Sequence, residues 1–264
     1  MLKVRNISKT FNPGTINEKK AIDGLSLSLK EGDFVTVIGG NGAGKSSLLN
    51  AVAGVWPVDS GSIELAGEDI TGLPEYKRAK LIGRVFQDPM MGTAPDMWIE
   101  ENLAIAIRRG EKRTLKWMVT KQDRELYRER LSELGLGLED RLQVKVGLLS
   151  GGQRQALTLL MATLKSPKLL LLDEHTAALD PATAAKVLEL SDSVVERNNL
   201  TTLMITHNMT DAIRHGNRLI MMNEGHIILD IEGEEKRHLT KKELLDKFAE
   251  VAGHQEETDA VLLS

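Results

Sequence analysis

Gly39-Gly40-Asn41-Gly42-Ala43-Gly44-Lys45-Ser46 is the stretch that decides the fold. Before it runs Phe34-Val35-Thr36-Val37-Ile38, a continuous β-rich segment of the kind that forms a strand buried on both faces. After it runs Ser46-Ser47-Leu48-Leu49-Asn50-Ala51-Val52-Ala53, helical in composition and closed by Gly54. The order is strand, glycine-rich loop, helix. The loop fits G-x-x-x-x-G-K-[ST], whose glycines let successive backbone N–H groups point at phosphate oxygens. A lysine at position 45 reaches the β- and γ-phosphates, a serine at 46 ligates a magnesium ion, and the helix start adds its positive end. A glycine turn before an ordinary helix is the plain alternative. The flanking strand and helix favour phosphate binding.

Outward from the loop, further short apolar runs read as buried strands at Ile82–Phe86, Leu169–Leu172, Leu203–Ile205, Leu219–Met222 and Ile227–Leu229, and Leu25, Leu27 and Leu29 alternate as in a half-buried strand. Helices fall between several of them. Asp180-Pro181 is a cap followed by proline at the first helical position, with Ala184, Val187, Leu188, Val194 and Val195 on one face. Asn208 with Asp211 opens another helix, ended by Gly216, and Thr240-x-x-Glu243 is a capping box before a last one. Strands alternating with helices predict an α/β core with mostly parallel strands. Residues 88–149 carry helical patterning instead, as in Tyr127, Leu131 and Leu134 with Gly135 at the end, and read as a helical insertion that splits the core into 1–87 and 150–252. The polar stretch 253–264 reads as a loose tail.

Composition agrees and excludes other classes. The chain has 264 residues, 41% hydrophobic and 27% charged, which suits a globular protein with a sizeable core. It has no cysteine, hence no disulfide, thiolate–zinc or iron–sulfur ligation and no thiol nucleophile. The net charge is −4 and aromatics are 3%, a poor match to nucleic-acid binding. No stretch approaches the length of an apolar membrane span, and Met1–Asn6 shows no signal-peptide core, so a soluble intracellular protein is the expectation.

Two more motifs carry chemistry. Leu169-Leu170-Leu171-Leu172-Asp173-Glu174 is an apolar strand ending in two acids, at the end of a parallel strand where ligands bind. Asp173 can hold magnesium, and Glu174 can polarise an attacking water. Leu149-Ser150-Gly151-Gly152-Gln153 precedes an apolar helix in which Ser150 is a good N-cap. Two glycines in a first turn cost about 0.5–1 kcal/mol each, and N–H groups left bare to a ligand would account for that cost.

Taken in order, the phosphate loop, Gln87 in Val85-Phe86-Gln87-Asp88-Pro89, Leu149–Gln153, Asp173-Glu174, Ala178-Leu179-Asp180 and His207 resemble the ATPase subunits of ABC transporters over nearly the whole chain, from Leu2 to Phe248. The resemblance implies an ABC ATPase fold: a P-loop core with a mostly parallel sheet, an N-terminal antiparallel β subdomain and the helical insertion. It implies ATP and Mg²⁺ as ligands, with Gly39, Gly40, Asn41, Gly42, Ala43, Gly44, Lys45, Ser46 and Ser47 on the phosphates. Magnesium would be held by Ser46, Gln87 and Asp173, with Glu174 as the catalytic base. Phe11 is similar to the aromatic that stacks on adenine, or is a strand-end hydrophobe. Gln87 is similar to the glutamine that senses the permease, and His207 to the switch histidine on the γ-phosphate. Asp180 is similar to the aspartate that communicates across a dimer. Ser150, Gly151, Gly152 and Gln153 would complete the site of a second copy. Two helix N-termini of one compact domain converge poorly on one anion, so Lys45 of one copy is expected to face Ser150 of another across a two-fold homodimer.

Three departures from the family stand out. His175 occupies the usual place of a proline, Ser47 that of a threonine, and Gln155-Ala156-Leu157 lacks a basic residue common there. The run Met90, Met91, Met97, Trp98 beside Gln87 is either adaptable contact surface for a permease helix or packing within the insertion. Arg108, Arg109, Lys112, Arg113 and Lys116 face either lipid headgroups or water. With no room for a membrane domain, the chain resembles the separate ATPase of a bacterial importer. That implies a homodimer on the cytoplasmic face of the plasma membrane, a transmembrane permease, an extracytoplasmic substrate-binding protein and amino acids, aromatic ones included, as solute. An iron–sulfur assembly ATPase is the alternative reading.

Overall fold

The structure is a computed structural model that describes residues 1–111 and 118–252. In chain order it forms β1 (Leu2–Phe11), β2 (Lys19–Leu29), β3 (Phe34–Ile38), α1 (Lys45–Ala53), β4 (Ser60–Leu65), β5 (Glu68–Asp69) and α2 (Glu75–Arg78). Then follow β6 (Ile82–Val85), α3 (Ile99–Ile107), α4 (Lys121–Ser132), α5 (Gly151–Thr163), β7 (Leu169–Asp173) and α6 (Pro181–Arg197). The chain closes with β8 (Thr201–Ile205), α7 (Met209–Arg214), β9 (Arg218–Asn223), β10 (His226–Glu232), α8 (Gly233–His238) and α9 (Lys241–Ala252). Two compact units result: Met1–Arg78 joined by the chain from Asn199 onward, and Ala79–Asn198.

The first unit holds two sheets. One is antiparallel, in the order β2-β1-β4-β5, and buries Leu2, Val4, Ile7, Leu25, Leu27 and Leu29, by alternation except at the register shift between Val4 and Ile7. In the other, β3 lies between β8 and β9, parallel to both, and β10 pairs antiparallel with β9. All five residues of β3 are buried. Its one polar member, Thr36, donates its hydroxyl proton to the Ala212 carbonyl at 2.9 Å, so no polar group is left unpaired in the strand. A core of Ile38, Met209, Leu219, Met221, Ile231, Leu244 and Phe248 joins this sheet to α7 and α9. The capping box expected at Thr240 is present: its hydroxyl accepts from the Glu243 amide, and the Glu243 carboxylate accepts from the Thr240 amide at 2.8 Å.

The second unit pairs β6 and β7 in parallel and surrounds them with helices. The insertion's core is built from Ile99 and Leu103 of α3, Tyr127 and Leu131 of α4, and Ala156, Leu157 and Leu160 of α5. Asp180 caps α6 by accepting from the Thr183 amide, Pro181 follows, and Val187, Leu188, Ser191 and Val195 make its buried stripe. Among the described residues no helix is long and apolar enough to cross a membrane.

Candidate nucleotide site

Unit one carries Phe11, the loop 39–47 and His207; unit two carries Gln87, 150–153, Asp173, Glu174 and Asp180. The loop's shape is dictated by what surrounds it. A Cβ at Gly39 would lie 2.2 Å from the Met222 carbonyl oxygen, and one at Gly44 would lie 2.5 Å from that of Ala21. With φ of 151° and 100°, both positions sit where only glycine is at ease. The Gly225 amide donates to the Ala43 carbonyl at 3.0 Å and stitches the loop to the β9–β10 hairpin. Lys45 is buried, and its ammonium donates to the carbonyls of Gly39 at 2.7 Å and Gly40 at 3.0 Å. Asn41, Gly42 and Ser46 are exposed at the loop's rim. Such a backbone cradle, with no side chain to fill it, a lysine curled beneath and a helix start beyond, fits a phosphate group.

β3 and β8 run parallel with Val37 opposite Ile205, so Gly39 and His207 leave the carboxyl ends of neighbouring strands. That is where ligands bind in sheets of this kind. His207 is exposed there. Phe11 ends β1. Its ring meets Trp56 edge-on with centroids 4.7 Å apart, and the Lys9 ammonium stands 5.8 Å from its centroid. Asp59 anchors that strand end: it accepts from the Thr10 amide at 2.6 Å and from Lys9 at 2.9 Å, and the Lys9 bond chiefly holds its pKa below the ordinary value. Arg78, invisible as a site residue in sequence, is buried and ties off the far end of the loop's helix. It donates to the carbonyls of Ala51, Val52, Leu73 and Thr71 at 2.7–2.9 Å, and burial lowers its pKa.

In unit two, Asp173 ends β7 and accepts from Arg84 of β6 at 2.9 Å. Arg84 in turn lies 4.6 Å from the centre of the Phe86 ring. Glu174 is half-buried and takes a φ of +46°, a left-handed value uncommon outside glycine. Gln87 is exposed one residue past the Phe86 carbonyl, which accepts from the fully buried Gln155 at 3.0 Å. Gln155 thereby pins the backbone beside Gln87. Ser150 caps α5 as expected, its hydroxyl accepting from the Gln153 amide at 3.3 Å while its own amide donates to Gln153 at 3.2 Å. Gly152 has a packing reason of its own, because a Cβ there would fall 2.2 Å from the Thr183 methyl. The α5 start therefore sits against the first turn of α6, beside Asp180. The Asp180 carboxyl is held below its ordinary pKa, first by its bond to Thr183.

The methionine-rich segment is braced from inside and open outside. Buried Asn102 accepts from the Ala94 amide at 2.8 Å and donates to the Trp98 carbonyl at 3.0 Å. Met91, by contrast, is 70% exposed and Trp98 40%. In the basic cluster Arg109 donates to the Ala162 carbonyl at 3.1 Å, and Lys112, Arg113 and Lys116 lie outside the described residues, as does the tail 253–264. Among the described residues no group of three or more His, Asp or Glu side chains could hold a metal ion. Magnesium needs no such cage, since it keeps several waters and takes one or two protein oxygens beside phosphate. The serine hydroxyl at 46 and the carboxylate at 173 are hard oxygen donors of that sort.

The family model for ABC transporter ATP-binding domains matches residues 22–177. The tyrosine transport ATP-binding protein of Clostridioides difficile is 48% identical over 250 residues, 94% of this chain and 98% of that one. The chain belongs to the ABC transporter ATP-binding proteins. The xylose/arabinose import ATP-binding protein of Sulfolobus acidocaldarius is 33% identical over 94% of this chain and 95% of its own. Among solved structures, an ATP-binding cassette of an ABC transporter in its ADP conformation matches with a TM-score of 0.76 at 29% identity, covering 94% of this chain and 98% of that one. A dimeric cassette bound to ADP and phosphate matches with a TM-score of 0.75 at 27% identity, over 88% and 98%. The fold is accordingly that of an ABC ATPase, with a mixed sheet of parallel strands, an antiparallel N-terminal sheet and helices. The protein is an ABC-type ATPase that binds ATP and couples its hydrolysis to transport.

Proposed function

We propose that this ATPase energises solute import through a separate membrane permease, working as a homodimer at the membrane surface, and that the solute is an amino acid, aromatic ones included. The observation that carries the solute class is the 48% identity, over almost the full length of both chains, to a tyrosine transport ATP-binding protein. In this reading the backbone amides of 39–44 with Lys45, Ser46 and Ser47 hold the phosphates of ATP, and Phe11 backs the adenine. Ser46, Gln87 and Asp173 offer oxygens to Mg²⁺, which when bound draws negative charge from the phosphates. Glu174 takes the proton of the attacking water, worth about 10²–10⁴-fold in rate. His207 holds the γ-phosphate side, and the Ser150–Gln153 helix start, with Asp180 next to it, completes the site of the second copy. The exposed Met91 and Trp98 offer deformable apolar surface to a permease helix, with Gln87 four residues before Met91 to relay nucleotide state. A substrate-binding protein delivers the solute from outside.

The test is to tag the chain in its own cell, solubilise the membranes and identify what co-purifies, then assay tyrosine uptake in vesicles rebuilt from that complex. A permease in the complex and ATP-dependent uptake of tyrosine are expected. Soluble scaffold proteins in place of a permease would overturn the transport reading, and uptake of an unrelated solute would overturn the solute class. Glu174→Gln should keep Mg-ATP binding, lose most turnover and accumulate an ATP-bound dimer.

A further inference from the structure

The residue after Glu174 is a histidine with an unusual place in the fold. His175 is 2% exposed, and its Nε2 lies 3.0 Å from the Oγ of Ser191 in the middle of α6. Ser191 is 1% exposed, and its hydroxyl proton is already given to the Val187 carbonyl at 2.8 Å. A hydroxyl has one proton to give, so in this pair the ring nitrogen is the donor and the serine oxygen the acceptor. The ring is thus of the Nε2–H form, and it pins residue 175 to a helix that begins six residues later. Directly before it, Glu174 holds a φ of +46°, and its carbonyl accepts from the Ala177 amide at 3.0 Å to close a turn. A non-glycine residue stays in that region only when its surroundings over-determine it. A proline at 175 would supply no donor and would press Glu174 toward extended backbone with φ near −120°.

We propose that His175 is a positioning residue for Glu174: through its Nε2–H bond to Ser191 it fixes the left-handed turn after β7, and with it the direction in which the Glu174 carboxylate meets the attacking water. This rests on Glu174 being the base, and the test separates the two ideas. A backbone turn that relaxes moves the carboxylate by something like 1 Å, and a displacement of that size costs about 10²-fold in rate. The pin acts on the backbone that carries Glu174, so nucleotide affinity should not follow.

The full-length protein is compared as wild type, His175→Leu, His175→Gln, Ser191→Ala, Glu174→Gln and the double variant Glu174→Gln/His175→Leu. Leucine fills the space without a donor; glutamine keeps an N–H at similar reach. Expected are a fall of about 10–100-fold in kcat for His175→Leu and Ser191→Ala, and recovery to within about 3-fold of wild type for His175→Gln. The Kd for Mg-AMP-PNP should hold throughout, and the double variant should be no slower than Glu174→Gln alone. Wild-type kcat in His175→Leu, or losses that multiply in the double variant, would overturn the proposal, as would equal losses of kcat and nucleotide affinity. Wild-type turnover in Glu174→Gln would instead sink the base assignment by itself. Should the leucine variant not fold, ¹⁵N-histidine NMR of the wild type still decides: Nε2 must be the protonated ring nitrogen, and a neutral ring protonated only on Nδ1 would refute the pin.

Discussion

Replacing Gly39 by alanine probes the phosphate loop at its tightest point. The new methyl would start 2.2 Å from the Met222 carbonyl oxygen and 3.1 Å from the Ala43 Cβ. Real Cβ atoms keep about 3.0 Å from such an oxygen, so the loop or the end of β9 must give way by about 0.8 Å. The backbone adds its own demand, since φ of 151° suits glycine and alanine must leave it. Overpacking of this kind costs about 1–3 kcal/mol. The functional loss should be larger than the loss of stability suggests. The carbonyls of Gly39 and Gly40 hold the Lys45 ammonium, so moving them moves both the loop amides and the charge beneath them. A 1 Å displacement of such a constellation lowers turnover about 100-fold. Fluorescent-nucleotide titration gives affinity, phosphate release gives rate, and urea unfolding followed by circular dichroism gives stability. The control is Gly67→Ala, whose φ of 86° is also left-handed but whose Cβ would meet nothing within 4 Å. It should lose about 1–2 kcal/mol of stability and no nucleotide affinity. Gly39→Ala with wild-type affinity and turnover would refute the claim that the neighbouring carbonyl sets the loop's shape.

Arg78→Met removes four hydrogen bonds from a buried cation and strands the carbonyls at the end of α1; urea unfolding should show a loss of about 3 kcal/mol, or about 6–12 °C in melting temperature, and a loss under 1 kcal/mol would mean water replaces the guanidinium. Gly152→Ala should lower stability and turnover through the Thr183 methyl 2.2 Å away, and adding Thr183→Ser should restore both; no restoration would leave the glycine to a ligand rather than to packing. Asp59 has a lowered folded pKa, so its bonds to Lys9 and Thr10 stabilise the native state above the unfolded value of 3.8 and are lost as pH falls below it. Wild type should therefore exceed Asp59→Asn in urea midpoint at neutral pH, with the gap closing as pH falls below 3.8; a gap that ignores pH would show that charge is not what anchors this strand end.

Motifs whose meaning lies in local backbone chemistry were legible in the sequence. The glycine-lysine loop and the acids ending β7 are contiguous runs in the chain, and the caps at Ser150, Asp180, Asn208 and Thr240 each satisfy N–H groups within three residues, so the helices start where those residues stand. The course of strands β1 and β4 is not legible in the residue pattern. Asn6 with φ of 49° and the register shift between Val4 and Ile7 break the alternation in β1, and Gly61 interrupts the start of β4. Arg78 belongs to no motif in the sequence; only tertiary structure brings it under the end of α1. Gln155 is likewise a polar residue whose partner, the Phe86 carbonyl, lies 69 residues away. The pairing of His175 did leave a trace. Ser191 falls on the buried stripe of α6 between Leu188 and Val195, and a polar residue on an apolar face asks for a partner.

β3 feeds the phosphate loop, yet both of its sheet neighbours, β8 and β9, lie beyond residue 200. During synthesis the strand leaves the ribosome about 160 residues ahead of them. At roughly 5–20 residues per second that is a wait of about 8–32 s. For that interval Phe34-Val35-Thr36-Val37-Ile38 is an apolar strand with two unpaired edges, the kind of segment that pairs with other chains. The nucleotide loop takes its final shape only when the β9–β10 hairpin arrives to supply Met222 and Gly225. A nascent chain cut short before β9 should therefore bind no ATP and be a ready client for chaperones, whatever the state of the helices made in between.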